Sequence, residues 1–92
     1  MRKIEWTSQF ERDFKREKKG PHKRILESTF TSVVQALAED RPLETRYRDH
    51  SLGGQWDGFR DCHIRPNLVL INEKECCVLR LIRLGSHSEI GF

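Results

Sequence analysis

The sequence lacks any long apolar run: no stretch approaches the roughly 20 residues that a membrane-spanning helix needs. The N-terminus has no continuous apolar segment after Arg2 and Lys3, which argues against a secretory signal. Cysteine is scarce, with three residues, no C-x-x-C spacing, and an adjacent pair, Cys76 and Cys77, that is poorly placed for an internal disulfide. We therefore expect a cytoplasmic protein with no membrane contact, whose cysteines are small buried side chains in strands.

What is present describes one small folded domain spanning residues 1–92. Hydrophobic residues make up 36% of the chain and charged residues 34%, which leaves material for only a thin core. Five Phe, two Trp and one Tyr exclude an ordinary disordered tail. We expect room for one sheet and two or three helices.

The net charge of +3 is unevenly distributed along the chain. Residues 12–24 contain seven basic and two acidic side chains, so this basic segment carries a local +5. Such a run is either a solvated helix face or a surface for nucleic-acid phosphates, and the charge alone does not decide between them. Its candidate phosphate contacts are Lys15, Lys18 and Lys19.

The first half of the chain predicts a strand and two helices. Ile4 and Trp6 suggest the strand, and Ser8 with Glu11 fits a capping box that starts a helix ending at Gly20. A second helix is predicted over residues 22–39, because apolar residues recur there every three to four positions. They are Ile25, Leu26, Phe30, Val33, Val34 and Leu37.

The second half predicts three strands, over residues 56–64, 68–71 and 76–84, with a turn at 65–67 and a charged turn at 72–75. Short turns favour antiparallel neighbours. The central run lacks alternation, which indicates a middle strand covered on both faces. The predicted fold class is α+β, with an N-terminal strand, a helical hairpin and a small antiparallel β-sheet in the order βααβββ.

Three of the four histidines, His50, His63 and His87, lie at turns or strand ends in this second half, each near arginines. Histidine and arginine together suit metal-free RNA cleavage, in which the ribose 2′-hydroxyl attacks the adjacent phosphorus and two protons move. Ordinary strand-end histidines are about an equally good interpretation. A zinc site is disfavoured because no H-x-x-x-H or H-E-x-x-H spacing occurs.

Three segments around these histidines resemble the motifs of one protein family, the YafQ-type toxins of the RelE superfamily. The family pattern runs Y-K-D-H-x-L-x-G, then G-x-R-x-x-H-x-x-P-D, then R-x-G-[ST]-H. The matching segments are Tyr47-Arg48-Asp49-His50-Ser51-Leu52-Gly53-Gly54, Gly58-Phe59-Arg60-Asp61-Cys62-His63-Ile64-Arg65-Pro66 and Arg83-Leu84-Gly85-Ser86-His87-Ser88-Glu89. The element order of the N-terminal half also agrees, so the resemblance covers essentially the whole chain and implies a RelE-like fold.

The resemblance implies the toxin of a bacterial type II toxin–antitoxin system, a ribosome-dependent endoribonuclease that cuts translated mRNA without a metal or other cofactor. Its partners would be the 70S ribosome, mRNA and a cognate antitoxin in a heterotetramer. The matched catalytic positions are His50, His63, His87 and Arg83, with His50 as base, His87 as acid and His63 orienting or stabilising charge. The candidate substrate-binding residues of the motifs are Arg48, Arg60, Asn67 and Phe92.

Two positions depart from the family pattern. Asn67 replaces the usual Asp and cannot carry a proton. The near-terminal Phe stands one residue late, at Phe92, where it either stacks on a base or closes the core. Two other function classes remain open, a non-catalytic basic nucleic-acid-binding domain and a protein-interaction domain, although neither uses the histidines and arginines.

Overall fold

The computed structural model describes residues 1–91. Five strands and four helices alternate with short loops and two single 3₁₀ turns, at Thr45–Tyr47 and Gly54–Trp56. The elements are β1 (Lys3–Trp6), α1 (Ser8–Lys18), α2 (Lys23–Glu27), α3 (Thr29–Ala38), β2 (His50–Ser51), β3 (Arg60–Arg65), β4 (Leu68–Lys74), β5 (Val78–Gly85) and α4 (His87–Ile90). The α+β class predicted from the sequence is confirmed. No helix in this part of the chain is long and apolar enough to cross a membrane.

All five strands form one sheet in the order β1-β5-β4-β3-β2. The pairs formed by β2, β3, β4 and β5 are antiparallel, whereas β1 lies parallel to β5. The antiparallel pairing predicted for the strands of the second half is confirmed, and β1 adds a parallel edge strand whose direction the sequence did not predict. Because β1 pairs with the last strand rather than with its neighbour in sequence, no tight turn sets its direction.

Two helix boundaries differ from those predicted: the N-cap of α1 and an interruption in the predicted second helix. Thr7, not Ser8, is the N-cap of α1, and its hydroxyl accepts a hydrogen bond from Phe10 N at 3.1 Å. The predicted second helix is two helices, interrupted at Ser28, whose φ of −128° is not helical. The Ser28 hydroxyl donates to the carbonyl of Arg24, a local bond of the kind that competes with helical geometry.

The helices cover one face of the sheet and build the main core. Phe10 and Leu37 pack there against the inward side chains of the sheet, among them Leu70 and Leu81, and all four are fully buried. A smaller apolar cluster on the opposite face contains Val69, Ile71 and Ile90, with Leu52, Trp56, Phe59 and Ile82 around it. The predicted two-sided burial of the middle strand is confirmed, because residues 68–72 of β4 are all fully buried.

The strand boundaries shift from those predicted. Trp56 lies in a 3₁₀ turn, so β3 starts only at Arg60, and β4 continues to Lys74. Glu73 can stay in the strand because its carboxylate accepts a hydrogen bond from Arg80 on the neighbouring strand at 2.6 Å. The turn is displaced to residues 75–77, which leaves Cys76 and Cys77 exposed, contrary to prediction. Only Cys62 is buried.

Candidate active site

The sheet register brings the polar residues of the three motifs together on the face opposite the main core. One row of residues crosses four strands, with Asp61 paired to His50 on one side and to Ile71 on the other, and Ile71 paired in turn to Arg83. Directly opposed residues present their side chains on the same face of a sheet. This row therefore places a histidine, a carboxylate and an arginine along one line.

A second row, formed by His63, Val69 and Gly85, lies beside the first. The chain then leaves the sheet and starts α4, whose first residue is His87. The imidazoles of His63 and His87 meet edge to face, with ring centroids 5.1 Å apart. All three predicted histidines thus lie in one cluster, whereas His22 caps the N-terminus of α2.

Asp61 lies at the centre of this cluster. Its carboxylate is buried, with Oδ2 3.8 Å from Nε2 of His50 and Oδ1 3.7 Å from Nε2 of His63. Within residues 1–91, Oδ1 accepts no hydrogen bond. Both imidazoles therefore face one carboxylate at slightly more than hydrogen-bond distance, a looseness common in active sites without substrate.

Burial shifts the pKa values of Asp61 and His63. It raises the pKa of Asp61 above the ordinary value, although the three nearby histidines pull in the opposite direction. Burial also lowers the pKa of His63, and Asp61 opposes that change. The fold therefore favours the neutral imidazole at His63.

The loop before β2 fixes the orientation of His50. Its Nδ1 lies 2.5 Å from the carbonyl oxygen of Arg48. A carbonyl can only accept, so Nδ1 carries the proton and Nε2, which faces Asp61, has the free lone pair. Arg48 adopts a left-handed backbone conformation with φ of 49°, which is uncommon for a residue with a side chain and turns its carbonyl toward His50.

The position of His87 is set by a capping box at the start of α4. The hydroxyl of Ser86 accepts a hydrogen bond from Glu89 N, and the Glu89 carboxylate accepts one from Ser86 N at 2.9 Å. Arg16 of α1 forms an ion pair with the same carboxylate at 3.3 Å. His87 therefore stands at the first turn of a short helix that is held at its N-terminus.

The remaining predicted site residues occupy different surroundings. Arg60 is paired with Asp49, since its Nε donates to Oδ1 at 3.2 Å, and so secures the loop that carries His50. Asn67 is exposed in the turn between β3 and β4, and in the described part of the chain its amide forms no hydrogen bond. Phe92 lies outside the described residues.

The basic segment lies on and after α1, which packs against β5. Lys15, Lys18 and Lys19 are exposed there, whereas Arg16 is engaged with acidic side chains and with the carbonyl of Leu84. Since Arg16 also contacts Glu89 in α4, this cationic surface adjoins the segment that carries His87.

Sequence reasoning missed two buried carboxylates, Asp61 and Asp13. The signal for Asp61 was its place two residues before His63, because alternate strand residues share a face. Asp13 has no such signal. It lies on α1 among surface charges, yet it is fully buried, and its Oδ2 accepts hydrogen bonds from Nε of Arg83 and from the backbone N of Leu84.

Comparisons with known proteins show the family to which the chain belongs. The profile of the bacterial toxin of type II toxin–antitoxin systems, YafQ, matches residues 2–91. The chain belongs to the YafQ toxin family. The mRNA interferase toxin YafQ of Escherichia coli is 33% identical over 90 residues, which are 98% of this chain and 96% of that protein.

Solved structures of YafQ-family toxins share the fold. A copper-bound mutant toxin from Helicobacter pylori superposes with a TM-score of 0.86 at 34% identity, over 98% of this chain and 99% of that one. The chain of an Escherichia coli DinJ–YafQ complex gives 0.81 at 28% identity, with both chains fully covered. Within residues 1–91 of this YafQ-family toxin, no three His, Cys, Asp or Glu side chains are grouped so that they could hold a metal ion.

Proposed function

We propose that this toxin is a ribosome-dependent endoribonuclease that cleaves translated mRNA by metal-independent attack of a ribose 2′-hydroxyl on the adjacent phosphorus. The observation that carries the proposal is the convergence of His50, His63 and His87 around buried Asp61, with Arg83 in the same row of the sheet. This reaction requires a base, an acid and a positive charge near the phosphate. The cluster contains each kind of group.

His50 is the proposed general base. Its Nδ1 is committed to the Arg48 carbonyl, so the 2′-hydroxyl proton goes to Nε2. The imidazolium that forms then lies beside Asp61, 3.8 Å away, and the carboxylate stabilises it electrostatically. Unlike the carboxylate of a hydrolytic triad, Asp61 faces the nitrogen that takes the proton, so its role is charge compensation, while the Arg48 carbonyl orients the ring through Nδ1.

His87 is the proposed general acid, which donates a proton to the departing 5′-oxygen as the phosphorus–oxygen bond breaks. The products are a 2′,3′-cyclic phosphate and a 5′-hydroxyl. His63 is more enclosed than His50, with a side-chain exposure of 13% against 52%. Its lowered pKa favours the neutral imidazole, which suits an orienting role between Asp61 and His87.

Arg83 is the proposed stabiliser of negative charge on the non-bridging oxygens. Arg48 and Asn67 are exposed, and we assign them contacts with the RNA. Arg60 acts through Asp49 on the loop that holds His50. The proposed contact of Phe92 with a base falls outside the described residues. Lys15, Lys18 and Lys19 would contact ribosomal RNA phosphates, which position the protein without selecting sequence.

A domain of this size offers little surface on which to align a 2′-hydroxyl with its phosphate, so we assign that alignment to the 70S ribosome. The reaction then takes place in the cytoplasm. A cognate antitoxin would silence the toxin by covering the cleft between the histidines and Arg83 with acidic and apolar side chains. The complex of the Escherichia coli relative with DinJ supports such a partner.

The experiment compares cleavage of the same mRNA free in solution and on translating ribosomes, with untreated toxin and with toxin stripped of bound metal by EDTA and then freed of the chelator. Mg²⁺ is held constant in every reaction, because 70S ribosomes dissociate without it. We expect efficient cleavage only on ribosomes and the same rate for both toxin samples. Replacement of His50, His63 or His87 by Ala should lower the rate by about 10²-fold or more where a proton is moved. His22→Ala is the matched control and should be silent.

Two results would contradict the proposal. Equal rates on free and translated mRNA would exclude ribosome dependence. Loss of activity in the metal-stripped toxin that added Zn²⁺ or Cu²⁺ restores would exclude the metal-independent route. If the histidine variants bind RNA normally and the unaltered protein never cleaves it, the alternative of a non-catalytic nucleic-acid-binding domain is correct.

A further inference from the structure

Within residues 1–91, the C-terminal part of β5 lacks a neighbouring strand on one side. β1 pairs with β5 only as far as Trp6 opposite Leu81, so the last residues of β5 have no strand beside them on that side. Side chains near and on α1 take the place of a strand. The Thr7 hydroxyl lies 3.1 Å from the Leu81 carbonyl, Asp13 accepts from Leu84 N at 3.0 Å, and Arg16 donates to the Leu84 carbonyl at 2.8 Å.

Asp13 is the most enclosed member of this set, with no exposed surface. Burial alone would raise its pKa, but hydrogen bonds from Arg83, Leu84 N and Gln9 outweigh burial and hold the pKa below the ordinary value. The carboxylate therefore favours its charged form. Arg83 Nε donates to its Oδ2 at 2.8 Å, and Gln9 donates to Oδ1 at 3.1 Å.

Asp13 uses only one of the three nitrogens of the Arg83 guanidinium. The two terminal nitrogens form no hydrogen bond within residues 1–91. The Arg83 backbone stands in the row that continues through Ile71 to Asp61 and His50. A planar guanidinium held through Nε keeps a fixed plane, and its terminal N–H groups are those that match a phosphate.

We infer that Asp13 is a positioning residue, which fixes the plane of the Arg83 guanidinium through Nε and so directs its terminal nitrogens to an RNA phosphate. The inference rests on the proposed function of Arg83, to which it adds a partner on a different element. Preorganisation of this kind acts mainly on the transition state, where the phosphate charge increases. A carboxylate that only completed the β5 edge would affect folding and would have no energetic link to Arg83.

A double-mutant cycle separates these roles. Asp13→Asn keeps an oxygen in the place of Oδ2, which accepts from both Leu84 N and Arg83 Nε, and removes the charge that strengthens the bond to Arg83. It is made alone and together with Arg83→Ala. We expect Asp13→Asn to lower kcat on ribosome-bound mRNA about tenfold with KM nearly unchanged, and to lower it less than about twofold when Arg83 is already Ala. Equal fold-losses on both backgrounds would overturn the inference.

The matched control is Glu17→Gln. Glu17 lies one turn further along α1, is buried, and accepts a hydrogen bond from Nε of Arg16 at 2.9 Å, whereas Asp13 is the residue that holds Arg83. A similar loss of charge there should leave kcat within about twofold of the unaltered protein. If Glu17→Gln lowers kcat as much as Asp13→Asn, general disturbance of α1 explains both and the inference fails.

A second measurement uses the unaltered protein and needs no cleavage. In ¹⁵N NMR spectra of arginine side chains, Arg83 Nε–H should exchange slowly with water, unlike that of exposed Arg65. Titration with a single-stranded oligodeoxynucleotide, which has no 2′-hydroxyl to attack, should shift the terminal Arg83 signals most. Fast exchange at Nε, or no response of the terminal signals, would overturn the inference even if Asp13→Asn does not fold.

The two proposals fail separately. If the protein does not cleave mRNA on ribosomes, the proposed function is wrong, while the NMR titration still decides whether Asp13 orients Arg83 toward a phosphate. If cleavage occurs and the cycle is additive, the proposed function stands and Asp13 completes only the edge of β5.

Discussion

Replacement of Asp61 by Asn should lower activity without weakening the fold. At 3.8 Å, opposite unit charges attract by about 4 kcal/mol at an effective dielectric constant of about 20. His50 is half exposed, so solvent screens part of this attraction, and about 2 kcal/mol is a reasonable share for the imidazolium formed in the reaction. That energy corresponds to a fall in kcat of about thirtyfold.

The effect on stability should have the opposite sign or be absent. Burial raises the pKa of Asp61, so the folded state favours the protonated carboxyl, and stability decreases as pH rises past the ordinary value of 3.8. Asn stays neutral at every pH. At neutral pH the melting temperature of Asp61→Asn should equal or exceed that of the unaltered protein, and the difference should vanish in acid.

The assays are kcat for cleavage of ribosome-bound mRNA and thermal unfolding followed by circular dichroism at several pH values. Asp57→Asn is the control, because Asp57 is exposed in the loop before β3 and, within residues 1–91, forms no ion pair with His50 or His63. Full activity in Asp61→Asn, or a fall in activity accompanied by an equal loss of stability at neutral pH, would refute the role given to this carboxylate.

Three further outcomes are expected. Charge reversal to Glu at Lys15, Lys18 and Lys19 should weaken ribosome binding at all codons and reduce the salt dependence of that binding in sedimentation assays. A changed codon preference at unchanged affinity would count against phosphate contacts. Asn72→Val should raise the free energy of unfolding by about 1 kcal/mol in urea titrations, because the buried Asn72 amide has no partner among residues 1–91. A free energy of unfolding below that of the unaltered protein would contradict this. Gly85→Ala should lower the free energy of unfolding by up to about 1 kcal/mol in the same titrations, because a Cβ there would stand 2.7 Å from a terminal nitrogen of Arg16. A gain in stability would contradict this.

The sequence predicted those elements in which one hydrophobic pattern runs through the whole segment. The apolar stripe of residues 22–39 indicated helix, and the unbroken apolar run at 68–71 indicated a strand covered on both faces. The pattern missed the interruption at Ser28, because the stripe continues through it and only a local hydroxyl bond marks it. The parallel pairing of β1 with β5 joins the two ends of the chain, which no local signal encodes.

The candidate site was predictable in part. The motifs identified His50, His63 and His87, and the sheet register brings them together as expected. The two buried carboxylates were not recognised, because an aspartate in a charged segment is exposed in most proteins. Their burial depends on tertiary contacts: Asp61 lies opposite His50 in the β2–β3 pair, and Asp13 meets β5 only after α1 has packed on it.

The central claim is that RNA is cut by its own 2′-hydroxyl, with His50 and His87 as the proton carriers and His63 in an orienting role. Chemical analysis of the new mRNA ends made on translating ribosomes tests it most directly. The account predicts 2′,3′-cyclic phosphate or its hydrolysed 3′-phosphate on one side of the cut and a 5′-hydroxyl on the other, with neither formed by His87→Ala at a comparable rate. Fragments that carry 5′-phosphate and 3′-hydroxyl ends would contradict it, because those ends arise when water, not the ribose, attacks the phosphorus.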